Sequence, residues 1–115
     1  MKNEVPNQGD VVWVSFDPQL GREIKKKRPT LVLSLKNYNK IREMAIVVPV
    51  TSKTKKYPLE VCLNSIEING FILPDQIKTI DWKERNFKYI TSASKEVVQE
   101  TLEKLNLLFG IELER

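Results

Sequence analysis

Five cations crowd into GREIKKKRPTLVLS: Arg22, Lys25, Lys26, Lys27 and Arg28, with Glu23 alone to balance them. The run stops at an Arg-Pro step, and an apolar segment follows. Arginine offers a planar fork of donors that matches a phosphate, and it stays charged at any working pH. The rigid proline behind Arg28 fixes the direction of the chain there. A second group closes PVTSK, where Thr51 and Ser52 end an apolar run and lead into Lys53, Lys55 and Lys56. Hydroxyls beside cations suit the holding of a phosphate oxygen or the orienting of an attacking group. The third group lies in LPDQIKTIDW. Read as a strand, it puts Gln76 and Lys78 on one face, and both types read base edges or grip phosphate. Trp13, Tyr57, Phe71 and Trp82 are aromatics of the kind on which unpaired bases stack. Each group also has an ordinary explanation: a surface arginine, hydroxyls that end strands, aromatics that fill a core.

Composition narrows the chemistry. The 115 residues contain no histidine and one cysteine. That removes Ser-His-Asp and Cys-His catalysis, paired-histidine ribonuclease chemistry, and His- or thiolate-based zinc and iron–sulfur sites. Cys62, in the strand-like LEVCL, is expected as a buried, inert thiol in a reducing compartment. The net charge of +4 and pI of about 9.2 lean towards an anionic partner such as nucleic acid. No apolar run approaches the roughly 20 residues that span a bilayer. The opening MKNEVPNQGD lacks the apolar core of a secretion signal, so the cytoplasm is the expected compartment.

The elements that must position these residues read as strands first and one helix last. GDVVWVSFD (9–17) alternates as a half-buried strand, with Val12, Val14 and Phe16 opposite Val11, Trp13 and Ser15. PQLGREIKKKRP is a long loop, and TLVLSL (30–35) a strand that Pro29 enters. KNYNKIREM is a connection with one helical turn. AIVVPVTS (45–52) is a strand buried on both faces, its Pro49 marking a bulge or an edge. KTKKYP is a second basic loop, LEVCLN a strand and SIEING a turn. FILPDQIKTI is one or two strands broken at Pro74, and DWKERNFKYIT a loop or turn with a strand end. In SKEVVQETLEKLNLLFG the apolar Val98, Leu102, Leu105 and Phe109 mark one face of a helix, capped by Ser94 and stopped at Gly110. One mainly β domain over residues 1–115 is expected (α+β by count), a small bent barrel closed by its C-terminal helix.

Taken together, GDVVWVSFDP, RPTLVLS, VPVTSK, YPLEV, LPDQIKTIDW and the final helix resemble, in order and wording, the MazF/PemK family of toxin endoribonucleases across residues 6–110. The resemblance implies a small SH3-like β-barrel (PemK/CcdB-like) with a C-terminal helix and short helical insertions, working as a homodimer. It implies metal-independent, cofactor-free cleavage of single-stranded RNA at short sequences. In such cleavage the 2′-hydroxyl attacks the adjacent phosphate and leaves a 2′,3′-cyclic phosphate and a 5′-hydroxyl. The family's essential arginine and threonine match Arg28 and Thr51, and its acidic loop residue matches Glu23. Its RNA-contacting stretch matches Gln76 and Lys78. Lys25, Lys27, Ser52, Lys53, Lys56 and Trp82 complete the expected RNA surface. The partner implied is an antitoxin with an acidic, partly disordered C-terminal segment, similar to MazE. One departure is plain: where relatives carry an EQxGxRP pattern, this chain reads EIKKKRP, which leaves the cleavage sequence open. Two other readings stand beside this one, a non-enzymatic barrel toxin that inhibits DNA gyrase and a basic RNA-binding module without activity.

Overall fold

β-Branched side chains suit the pleated, packed surface of a strand, and valines at 11, 12, 14, 32, 47, 48, 50 and 61 supply most of the frame. The computed structural model describes residues 5–15 and 27–111. In chain order these form β1 (Asp10–Ser15), β2 (Lys27–Val32), α1 (Lys36–Arg42), β3 (Ala45–Thr51), β4 (Val61–Asn64) and β5 (Asn69–Ile72). A 3₁₀ turn (Pro74–Gln76), β6 (Lys78–Ile80), β7 (Lys88–Ser92) and α2 (Lys95–Phe109) follow. The seven strands make one curled half-barrel in the order β4-β5-β3-β2-β1-β7, all pairs antiparallel, with β6 also on β3.

β3 is the hinge of this arrangement. One edge pairs with β2 through Thr30–Pro49, Leu31–Val48 and Val32–Val47. Its other edge pairs first with β6, over Ala45–Val47, and then with β5, over Val50–Thr51. Pro49 falls in the gap between those partners, where its missing N–H interrupts no ladder, and its carbonyl accepts from the Leu73 N–H at 3.0 Å. The sequence placed Pro49 at a bulge or an edge. Instead it marks the place in a central strand where one neighbour hands over to the next.

Both faces of the sheet are buried, each over its own core. Val11, Leu31, Val48, Val50, Val61, Leu63 and Ile72 pack under α2, which contributes Leu105. Val12, Val14, Val32, Ala45, Val47, Ile80 and Trp82 form the core of the opposite face. β1 is therefore buried on two sides rather than one, because the curled sheet is covered on two sides. β3 is buried on both faces, as its unbroken apolar run implied. The helix ends are also where the sequence put them. The Ser94 side chain accepts from the Val97 N–H at 3.2 Å, and Gly110 closes α2 at φ +73°.

Three sequence expectations change. Cys62 is exposed, because Val61 and Leu63 take the inward positions of β4 and alternation turns the thiol out. Phe109 does not join the buried helix face. The packed residues of α2 are Val97, Thr101, Leu102 and Leu105, and the last turn runs past the sheet, leaving Leu107, Phe109 and Ile111 exposed. The segment around Lys88–Ser92, read as a loop with a strand end, is a full edge strand on β1, with a register shift opposite Val11 and Val12. No helix among the described residues is long and apolar enough to cross a membrane.

Candidate functional site

Cross-strand partners in an antiparallel sheet point to the same face, so the pairing register shows which side chains meet. Arg28 lies opposite Val14 on β1, and Val14 belongs to the core away from α2. Arg28 and Thr51 both sit two residues beyond the last bridged β2–β3 pair, Thr30–Pro49, on that same face. Thr51 lies opposite Phe71 on β5, and Phe71 opposite Cys62 on β4. A transverse row thus crosses four strands: Arg28, Thr51, Phe71 and Cys62. The first two are 23 positions apart in the sequence; the fold puts them on adjacent strands and one face.

The row is exposed at Arg28 and half-buried at Thr51, so the face passes from a dry core to an open, polar rim. No carboxylate among the described residues pairs with Arg28. Lys78 lies opposite Val47 on the same face, four residues from Thr51 along β3, or about 13 Å at ~3.3 Å per residue. Gln76, exposed, ends the 3₁₀ turn that separates β5 from β6; the first residue of that turn, Pro74, is buried.

Thr51 owes its place partly to Gly70. A Cβ there would stand 2.6 Å from the Thr51 carbonyl oxygen and 2.9 Å from Val50 Cγ1. Any side chain at 70 would have to push β3 aside. The Asn-Gly pair reads in sequence as a turn, and nothing in it signals that the glycine lies inside a strand against Thr51.

The second basic loop is built around one carboxylate. Glu60 accepts from the Thr54 hydroxyl and from the Lys55 N–H (3.0 Å), while the Lys56 N–H donates to Thr54 Oγ1 at 3.0 Å. The Thr54 hydroxyl first, and then the Lys55 N–H, hold the Glu60 carboxyl below its usual range. A lowered carboxyl supports this loop above its unfolded pKa and releases it as pH falls through the folded one. The loop is therefore shaped at neutral pH and slackens only in acid. It presents Ser52, Lys53 and Lys56 to solvent. Partial burial, and then the Asp75 carboxylate, raise the Tyr57 phenol above its ordinary value, so Tyr57 is a neutral hydroxyl beside the 3₁₀ turn.

The expected site residues therefore divide. Arg28 and Thr51 lie on adjacent strands and on one face, both beyond the last bridged pair. Lys78 shares their face, and Lys27, Ser52, Lys53, Lys56 and Gln76 are exposed on β2, the basic loop and the 3₁₀ turn. Glu23 and Lys25 lie outside the described residues. Trp82 is corrected. Its ring is 6% exposed, meets Phe87 edge-on at 5.5 Å and donates its indole N–H to the Asn39 carbonyl at 3.1 Å. It fills the core and has no free face for a base.

The family model described as PemK-like, MazF-like toxin of type II toxin-antitoxin system matches residues 7–109. The chain is 41% identical over 106 residues to the endoribonuclease toxin MazF of Escherichia coli (strain K12), spanning 92% of this chain and 96% of that protein. It is 33% identical over 104 residues to the endoribonuclease toxin ChpB of the same strain, spanning 85% and 89%. A chain of the MazE–MazF crystal structure (Form-III) from Deinococcus radiodurans superposes with a TM-score of 0.85 at 37% identity, over 94% of this chain and 99% of that one.

Proposed function

This chain belongs to the PemK/MazF family of type II toxins, and from that premise we propose that it is an endoribonuclease cutting single-stranded RNA without a metal. The observation that carries the reading is the placement of Arg28 and Thr51 on adjacent strands and one face. In the proposed reaction the ribose 2′-oxygen bonds to the adjacent phosphorus, and the bond to the 5′-oxygen breaks. The 2′-proton leaves to a base, a proton reaches the departing oxygen, and a 2′,3′-cyclic phosphate and a 5′-hydroxyl result. The phosphorane on the way carries more negative charge than the phosphate. A fixed guanidinium in a partly dry site therefore stabilises the transition state more than the ground state. Arg28 takes that role, and the Thr51 hydroxyl holds a non-bridging oxygen or aligns the 2′-hydroxyl. Glu23 is the proposed proton acceptor.

RNA would enter along the lysines. Lys27 beside Arg28, Ser52, Lys53 and Lys56 in the second basic loop, Gln76 in the 3₁₀ turn and Lys78 on β6 are the proposed RNA contacts, with Lys25 adding charge to the same run. Residues 1–115 act in this reading as one toxin domain in the cytoplasm, paired as a homodimer for which the exposed Leu107, Phe109 and Ile111 offer apolar surface to bury. An antitoxin with an acidic, partly disordered C-terminal segment would occupy the same basic groove, since an anionic chain can replace RNA there.

The test is direct. Purified protein incubated with single-stranded RNA in EDTA should cut it and leave cyclic-phosphate and 5′-hydroxyl ends. Binding without cutting would leave an RNA-binding module, and neither would point to another target such as gyrase; both sink the reading. Thr51→Ala should lower the single-turnover rate at least tenfold, because a positioned donor is lost. Unchanged kinetics would remove Thr51 from the site.

A further inference from the structure

Of the four aromatics that the sequence offers for base stacking, the fold leaves one beside the reacting groups. Trp82 is buried. Trp13 lies opposite Pro29 and Lys88, on the other face from Val14 and Arg28. Tyr57 sits in the basic loop near Asp75. Phe71 is the direct cross-strand partner of Thr51, and such partners hold their Cβ atoms about 4.5–5.5 Å apart.

Phe71 is also unusual as a phenylalanine. On β5 the inward positions are Gly70 and Ile72, and Ile72 is fully buried in the core under α2. Phe71 points the other way and is a member of neither core cluster. Its neighbour across β4 is the exposed Cys62. A large apolar ring is thus left incompletely buried one strand from a hydroxyl and two from a guanidinium. A partly accessible aromatic ring beside candidate phosphate-binding groups is the pairing by which single strands are held: charge for the backbone, a ring for the base.

We propose that Phe71 is the platform on which a nucleobase flanking the scissile phosphate stacks, which makes it a substrate-binding residue of the cleavage site. This rests on the cleavage reading above, and it names a recognition element of that same site. Phe71→Leu keeps an apolar side chain but removes the aromatic face. It should melt as the wild type does and lose roughly 5- to 150-fold in kcat/KM on single-stranded RNA, the range for one stacked base. Phe71→Trp should retain activity. The decisive measurement pairs these variants with RNA made abasic on the 5′ or the 3′ side of the cut. Wild type should lose a comparable factor at one of those positions, and Phe71→Leu should lose nothing further there.

A Phe71→Leu protein that cuts at the wild-type rate, or that still loses the full factor with both abasic strands, overturns the platform while cleavage stands. A wild type that cuts no RNA overturns the cleavage reading. The platform is then decided by the affinity of wild type and Phe71→Leu for the same strand with a 2′-deoxy substitution at the cut. Cys62 gives an independent readout in the unaltered protein, being the sole cysteine and adjacent to Phe71. Bound RNA should slow its alkylation, and an unchanged rate with RNA saturating would count against a base seated there.

Discussion

Arg28→Ala is expected to lower the single-turnover cleavage rate by about 10²–10³-fold, or roughly 2.7–4 kcal/mol of transition-state stabilisation. The thermal melt should not move. Two features of the structure separate these outcomes. Arg28 is exposed at the start of β2 and touches neither core, so truncating it leaves the packed sheet intact. Its side chain pairs with no carboxylate among the described residues, so truncating it breaks no ion pair among them. Arg28→Lys should recover only part of the rate, because an ammonium keeps the charge but loses the two-pronged geometry that fits a phosphorane. Rapid-quench kinetics at saturating protein reads the chemical step itself. A folded Arg28→Ala protein that cuts at the normal rate would mean the charge is stabilised by another group, and the arrangement of the row would then be incidental.

The sequence was legible where one physical rule decided a segment. β3 has an unbroken apolar run and is buried on both faces; α2 has a cap at Ser94, a stop at Gly110 and a helical period between them. It was less legible where neighbours decide. Alternation in LEVCLN is clear, but whether Val61 or Cys62 faces inward depends on the strand it pairs with, and the thiol proved to be outside. Lys88–Ser92 hid because an edge strand carries polar and charged residues that read as loop. The four aromatics looked equivalent in sequence. Only the fold separates Trp82, buried with its N–H on the Asn39 carbonyl, from Phe71, placed by register beside Thr51. The shared face of Arg28 and Thr51 has the same character. Their residue types are plain in the sequence, but their placement depends on a β2–β3 register that no local pattern contains.

A second large effect is expected far from the row. Asn39 lies in α1 with no exposed surface, and its side chain ties together segments that share no strand. Nδ2 donates to the Pro6 carbonyl at 2.8 Å and to the Ser34 carbonyl at 3.1 Å, and Oδ1 accepts from the Ser34 hydroxyl. That hydroxyl in turn accepts from the Ile46 N–H at 2.8 Å, at the start of β3. Asn39→Ala would leave the Pro6 and Ser34 acceptors in a dry site without donors. At about 1–3 kcal/mol for each of the two orphaned groups, the loss should reach roughly 2–6 kcal/mol. Asn39→Asp, nearly the same shape, should cost at least as much, since it turns an acceptor towards two carbonyls. Urea titration should show the midpoint falling with an unchanged slope, the sign of lost stability rather than a looser denatured state. The cleavage rate per folded molecule should hold, because β3 still runs from Ala45 to Thr51 in its place. Equal midpoints for Asn39→Ala and wild type would show that α1 is held by its apolar contacts alone. A normal midpoint with a collapsed rate would place Asn39 in the reaction instead of the frame.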